Sequence, residues 1–303
     1  MKRAALFLVS TLIVMFQGLS AQVTNPGVTQ TTEPATTNPQ LTLDTLKIVD
    51  VYDRIHIVQK KPIPYIPIRE ADVMWAKDIW RIIDLREKLN QPLYYPTNTL
   101  GTRMSFFNLV LYGIREYNLH AFKDDKYNLF STESMIGESE IVKALGSDTL
   151  FAGTPDQEVR LNSITVKQLL VKEKWFFDKQ HSTMQVRIVG IAPIKVYNKT
   201  LTDANGNQSV SPEVSREILF WIYFPEYREL FAKNEIYNRF NDSQNISFDD
   251  LFMQRRFASY IYGESNVYEN RFIVDYLIGD DILYEAEKIK QSLFELEHDL
   301  WEY

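Results

Sequence analysis

Residues 175–191 constrain the fold most. Two apolar runs, Trp175-Phe176-Phe177 and Met184–Ile191, flank the polar stretch Asp178–Thr183. β-branched and aromatic residues on both sides of a short polar turn predict a β-hairpin. In its second arm Val186, Ile188 and Gly190 leave one face, and Arg187, Val189 and Ile191 the other. A turn signal at Asp203–Gly206 precedes a further strand, Glu217–Phe224, which Pro225 stops. The expected product is an antiparallel sheet of at least three strands. The aromatic runs Trp175–Phe177 and Trp221–Phe224 cannot all point one way from such a sheet. Either helices cover both faces, or one face carries an exposed aromatic patch for a partner.

The remaining periodic segments read as helices. Arg69–Leu89 places Val73, Ala76, Trp80 and Ile83 on one face, and Ser105 is a plausible N-cap for a helix through Phe106, Leu109, Val110 and Tyr112. Pro225 suits the first turn of a helix over Glu226–Asn238. Ser247–Asp250 has the form of a capping box, with Asp in place of the usual Glu, ahead of a helix over Leu251–Tyr262. The last helix, Asp281–Tyr303, repeats Ile282, Ala286, Ile289, Leu293, Leu296 and Leu300 at heptad spacing. Two readings of it stand: a coiled-coil seam for a partner, or an amphipathic helix closing its own core. The fold class is therefore α+β, an antiparallel sheet packed with helices and ending in a long amphipathic helix.

Ahead of this body the chain changes character. Lys2 and Arg3 precede an apolar run, Ala4–Phe16, followed by Gln17-Gly18 and a small residue, Ala21, before Gln22. Positive start, apolar centre and small-residue end are the layout of a secretory signal peptide over 1–21. Its apolar run of roughly 13 residues falls short of the ~20 a membrane-spanning helix needs, though an uncleaved anchor is the rival reading. Residues 22–42, rich in Thr, Pro, Asn and Gln, cannot bury enough apolar surface to offset ordering, and read as a disordered tether. The folded region is expected over 43–303. Arg54–Val58 alternates as a strand does, and Pro62, Pro64 and Pro67 confine the chain that follows to a sheet edge or an extended arm. A faint echo pairs Trp80, Arg86-Glu87 and Ser105-Phe106 with Trp221, Arg228-Glu229 and Ser247-Phe248, as if 50–150 and 160–303 were related halves.

The chain has no cysteine, so stability must come from a packed core and no thiolate site exists. The missing Cys also excludes a lipidated N-terminal cysteine, so any hold on a membrane is through partners. A formal charge of −7 argues against nucleic acid and against electrostatic docking on anionic lipid. His56, His120, His181 and His298 lie far apart in sequence, none in a spacing that sets two metal ligands on one helical face. No Gly-x-Ser-x-Gly frame or glycine-rich phosphate loop occurs. The adjacent acids Asp124-Asp125, Asp249-Asp250 and Asp280-Asp281 suit helix starts better than a catalytic pair. No catalytic, cofactor-binding or metal-binding residue is assigned, and no cofactor. The residues singled out for partner contact are Trp175, Phe177, Trp221, Tyr223, Ile289, Leu293, Leu296 and Leu300.

Several long strings resemble the GldN/PorN family of the type IX secretion system. They are WRIIDLREKLNQPLYYP from Trp80, VKQLLVKEKWFFDKQHSTMQVRIVGIAP from Val166, LFWIYFPEYR from Leu219 and SFDDLFMQRRFASYIYGESNVY from Ser247. The resemblance implies a periplasmic, non-catalytic scaffold subunit. It also implies a ring at the outer membrane with a GldK/PorK-type lipoprotein, and contact with GldL/GldM-type motor proteins. The residues alone also leave open a periplasmic carbohydrate- or lipid-binding module using surface aromatics, and a hydrolase built on scattered carboxylates.

Overall fold

The hairpin forms where its pattern places it. Strand β4, Val166–Asp178, pairs antiparallel with β5, Thr183–Thr202, with Trp175 opposite Val186 and Asp178 opposite Thr183. The computed structural model of the chain describes residues 59–98, 103–123, 130–144, 165–202, 208–238, 241 and 244–300. The signal peptide, the tether, the Arg54–Val58 strand and the Asp203–Gly206 turn lie outside the described residues. All described residues belong to the second of two units, Asp53–Tyr303.

Around the hairpin runs an eight-stranded sheet. Besides β4 and β5 its strands are β1 (Val73–Asp84), β2 (Ala121–Phe122), β3 (Met135–Ile136), β6 (Gln208–Ile218), β7 (Trp221–Tyr223) and β8 (Tyr260–Glu264). Their order is β3-β2-β7-β5-β4-β1-β8, and every pairing is antiparallel. The long β5 pairs with β7 at Gly190–Ile191 and with β6 from Ile194 to Thr202. The described helices are α1 (Gln91–Tyr94), α2 (Phe106–Glu116), α3 (Glu138–Ala144), α4 (Phe224–Lys233), α5 (Phe248–Met253) and α6 (Asp281–Asp299).

Neighbouring residues show how the sheet is buried. Ile83, Leu169, Ile191 and Ile222 join one core with α2, α4 and α5, while Ile82, Leu170, Ala192 and Trp221 join another on the opposite face. Both faces of the central strands are therefore buried. Helix α6 closes a third cluster, setting Ala286, Ile289 and Leu293 against Ile79, Ile261 and Ile273. Gly113 of α2 lets α4 approach closely, because a Cβ there would stand 2.6 Å from Leu230.

Two expected helices are corrected. Arg69–Leu89 is not a helix: after a 3-10 turn at Glu70–Asp72 it is strand β1. Its Ile79-Trp80-Arg81-Ile82-Ile83 run is covered on both faces, and such a run fits period 2 and period 3.6 alike. The decision comes from pairing, since β1 lies between β4 and β8. The helix expected over Leu251–Tyr262 is the short α5, and Tyr260 already belongs to β8. Arg255, at φ 53°, stops α5 in the left-handed region. Its amide donates to Phe252 O (3.2 Å) and that of Arg256 to Leu251 O (3.0 Å), a Schellman ending without glycine.

Other expectations hold with shifted ends. Ser105 caps α2 by accepting from the Asn108 amide, and Ser247 and Asp250 form the capping box of α5. Strand Glu217–Phe224 is broken at Leu219-Phe220 into the ends of β6 and β7. Helix α4 begins at Phe224 and ends at Lys233, because Asn234 turns extended so that Glu235 can bridge to Ser247.

Asp84 fixes the turn after β1. It accepts from the Arg86 amide (2.9 Å), the Arg86 Nε (2.9 Å) and Gln168 Nε2 (3.2 Å). Burial pushes its carboxyl up, but the Arg86 donors and the Gln168 amide outweigh burial and hold it at about 2. A folded-state value below the ~3.9 of an unfolded Asp stabilises the fold above about pH 4, and the stabilisation is lost as pH falls toward 2. In urea titrations at successive pH values, Asp84→Asn should be less stable than wild type at pH 5. That gap should close as pH approaches 2; a gap that persists there contradicts the assignment.

Candidate interaction surfaces

The turn that Asp84 fixes leads into the wall of a cleft. About 540 Å³ in volume, it is lined by the Lys88–Tyr95 turn and α1, by Ile236–Asn238 and Ile246 between α4 and α5, and by Leu251 and Arg256. The fully buried Asn90 holds the walls together. Its amide donates to Asp84 O (2.8 Å) and Ala258 O (2.9 Å) and accepts from the Ala258 amide (2.9 Å). An ion pair between the half-buried Arg103 and the buried Glu235, Nε to Oε1 at 2.8 Å, and the Ile236 amide on Ile246 O at 2.9 Å brace the other side. The floor and flanks are apolar, with Leu89, Tyr95 and Tyr237 left exposed. Lys88 and Arg256 stand exposed at its rim, and neither has an ion-pair partner among the described residues.

A second hollow, about 480 Å³, lies beneath the proline-rich arm, Lys60–Arg69, which runs extended across the body. Lys60 pairs with Asp250 of α5, and the Arg187 guanidinium donates to Ile66 O. The Tyr65 ring is held between Arg187 (4.9 Å) and Arg228 (4.4 Å). Burial raises the Tyr65 phenol, with the Arg228 charge pulling it back. Beneath that ring Arg228 forms a bidentate pair with Asp249, Nε to Oδ1 at 2.9 Å and Nη2 to Oδ2 at 3.1 Å, both side chains buried.

The predicted contact residues are divided by the fold. Trp221, Phe177, Ile289 and Leu293 are buried within this chain. Trp175 is half-buried, and its indole donates to the fully buried Glu173 at 3.0 Å, which also accepts from Arg255 at 2.8 Å. Tyr223 is exposed, and Leu296 and Leu300 are half-buried on the far stretch of α6. The structure does not bring these eight to one place. The cleft with Lys88 and Arg256 was missed, because its walls come from three separate stretches of sequence. Its one sequence trace was the apolar and aromatic character of Leu89–Tyr95, just past the end of the expected helix Arg69–Leu89.

The exposed His120 meets Glu226 (2.7 Å), His181 meets the buried Asp178 (2.5 Å), and His298 lies against Phe294. Among the described residues no group of three or more His, Cys, Asp or Glu could hold a metal ion. No helix among them is long and apolar enough to cross a membrane.

The family model described as gliding motility associated protein GldN matches residues 68–302, a span that takes in the described strands and all six described helices. The chain belongs to the GldN family. GldN proteins are structural components of gliding-motility and type IX secretion machinery, and this chain is accordingly a component of that machinery. No individual curated protein matches it. The GldN match begins at Ile68, so the Tyr65 ring and the Lys60 contact precede the matched region.

Proposed function

We propose that this GldN-family chain is a periplasmic scaffold subunit, without catalytic activity, of the type IX secretion and gliding machinery. In this reading a cleaved signal peptide exports it, and it forms an outer-membrane-associated ring with a GldK/PorK-type lipoprotein. It also touches the GldL/GldM-type motor proteins. The family match across 68–302 carries the reading. Two surfaces support it: an apolar cleft with cations at its rim, and an outward face of α6 with exposed large apolar side chains. Exposed apolar area of that kind marks protein contact sites.

Deleting the gene should abolish export of the machine's cargo, and re-expression of the chain should restore it. Normal secretion in the deletion strain, with no second GldN-family gene present, overturns the proposal. The cleft also favours a second reading, a periplasmic module that binds a lipid or carbohydrate, since Tyr95 and Tyr237 flank an apolar floor. That reading predicts secretion unaffected by the deletion.

A further inference from the structure

The sequence of the arm sets its shape before it touches the body. Pro62, Pro64 and Pro67 fix their own φ, and Lys61, Ile63 and Ile66, each before a proline, are pushed to extended backbone. A chain so restricted adopts the polyproline II helix, with three residues per turn and no internal hydrogen bonds. Burial along the arm follows that period. Pro62, Tyr65 and Ile68 are half-buried against the body, while Lys61, Ile63, Pro64, Ile66 and Pro67 between them are exposed.

Side-chain contacts hold the arm in place. No backbone amide of residues 60–68 donates to another described residue, so the arm adds no strand to the sheet and can leave without opening it. Tyr65 stands between the Arg187 and Arg228 guanidiniums, and its hydroxyl donates to Met253 Sδ at 3.7 Å. Arg187 donates to Ile66 O and lies 5.3 Å from the Phe176 ring, and no carboxylate pairs with it among the described residues. Lys60 meets Asp250 at the other end.

Nor does the arm fill the space it crosses. The hollow of about 480 Å³ beside Tyr65 is walled by Phe176, Ile188, Tyr223 and Pro225. Packed cores leave few voids larger than a water molecule, so the arm lies on the body as a ligand lies in a groove. The groove residues fall within the GldN-matched region, and residues 60–67 fall outside it.

We infer that the groove formed by Phe176, Arg187, Arg228 and Met253 is a recognition site for a proline-rich extended segment bearing a tyrosine, and that residues 60–69 occupy it as a displaceable cis ligand. Grooves lined by aromatic rings read such segments because a pre-set helix loses little entropy on binding. Here the two guanidiniums select the tyrosine ring through its π face. Arg187 sets the register through the Ile66 carbonyl, and Asp250 favours a cation ahead of the tyrosine. The tethered arm competes at high effective concentration, so a segment from elsewhere enters only when the arm is released. The inference goes beyond the scaffold reading and does not depend on it.

A labelled synthetic peptide with the sequence of residues 59–69 tests it, titrated with purified full chain and followed by fluorescence anisotropy. Lys60→Glu/Tyr65→Ala in the chain releases the arm by setting a carboxylate against Asp250 and removing the ring. That variant should bind the peptide saturably, one to one, and at least tenfold more tightly than wild type, whose own arm blocks the site. A peptide carrying Tyr65→Ala should bind the variant about tenfold more weakly or worse, the scale of losing cation–π contacts. Adding Arg187→Ala to the variant should weaken binding of the unaltered peptide to a similar degree. A peptide with Pro64→Gly and Pro67→Gly should also bind several-fold more weakly, because its backbone must be ordered on binding. Circular dichroism and the thermal midpoint check that each chain folds. Should the Arg187→Ala chain not fold, the Tyr65→Ala peptide tests the same contact from the ligand's side.

No binding to the released variant overturns the inference. So does equal binding to variant and wild type, which would make the peptide merely adhesive. Binding that is indifferent to Tyr65 in the peptide removes the tyrosine site, and binding that is indifferent to both prolines removes the proline-rich ligand; either result also overturns the inference.

Discussion

Arg228→Ala should cost about 3–5 kcal/mol of folding stability, the range for breaking a buried ion pair by removing one partner. Arg228 and Asp249 are both buried, and two charge-assisted bonds join α4 to α5 through them. Removing the guanidinium strands a buried carboxylate without its counter-ion. It also takes away the cation beneath the Tyr65 ring, 4.4 Å from its centre, and so loosens the arm. Asp249→Ala should cost a similar amount by stranding the guanidinium. Replacing both with apolar residues of matching size, Arg228→Met with Asp249→Leu, should cost much less than the sum, because no charge is left buried. Denaturant midpoints for the four proteins give the answer. An Arg228→Ala loss within about 1 kcal/mol, the worth of an exposed pair, would mean that water reaches this one.

Phe231→Ala should be comparably damaging, again about 3–5 kcal/mol. Its ring is fully buried and stands 5.4 Å from Phe106, 5.8 Å from Phe224 and Tyr227, 6.3 Å from Phe252 and 6.4 Å from Phe248. One deletion therefore opens a cavity where α2, α4 and α5 meet, and breaks several aromatic pairs at once. Phe294→Ala serves as the control, since that ring is mostly in solvent and its loss should fall within about 0.5 kcal/mol. Equal losses at Phe231 and Phe294 would contradict the packing described for α2, α4 and α5.

Elements whose cause is local were legible in the sequence. The β4–β5 hairpin is written in two apolar runs and a polar turn. The starts of α2 and α5 are written in Ser105 and in Ser247 with Asp250, and the arm in its three prolines. Elements whose cause is tertiary were not. Ile79–Ile83 is apolar at nearly every position because helices cover one face of β1 and the Trp80 cluster covers the other, and that erases the alternation which would have marked a strand. The ending of α5 was hidden because an arginine, not a glycine, takes the left-handed position. The cleft had least chance of being read. Lys88 and Arg256 are ordinary surface cations in the sequence, and they gain meaning only when the turn after β1 and the turn after α5 meet around Asn90. In α6 the heptad was visible, but not which side of the helix it occupied. Ala286, Ile289 and Leu293 face inward, and Leu283, Tyr284 and Phe294 are left exposed.

Arg255 serves two masters. The backbone at that position, with φ at 53°, would accept glycine or asparagine more readily than any long side chain. The carboxylate of Glu173, with no exposure of its own, needs the guanidinium that Arg255 places 2.8 Å away. A change that relaxes the turn removes the counter-ion, and a change that keeps the charge keeps the strain. The position is thus constrained from both sides, and loss of the cation at 255 is best compensated by a neutral residue at 173.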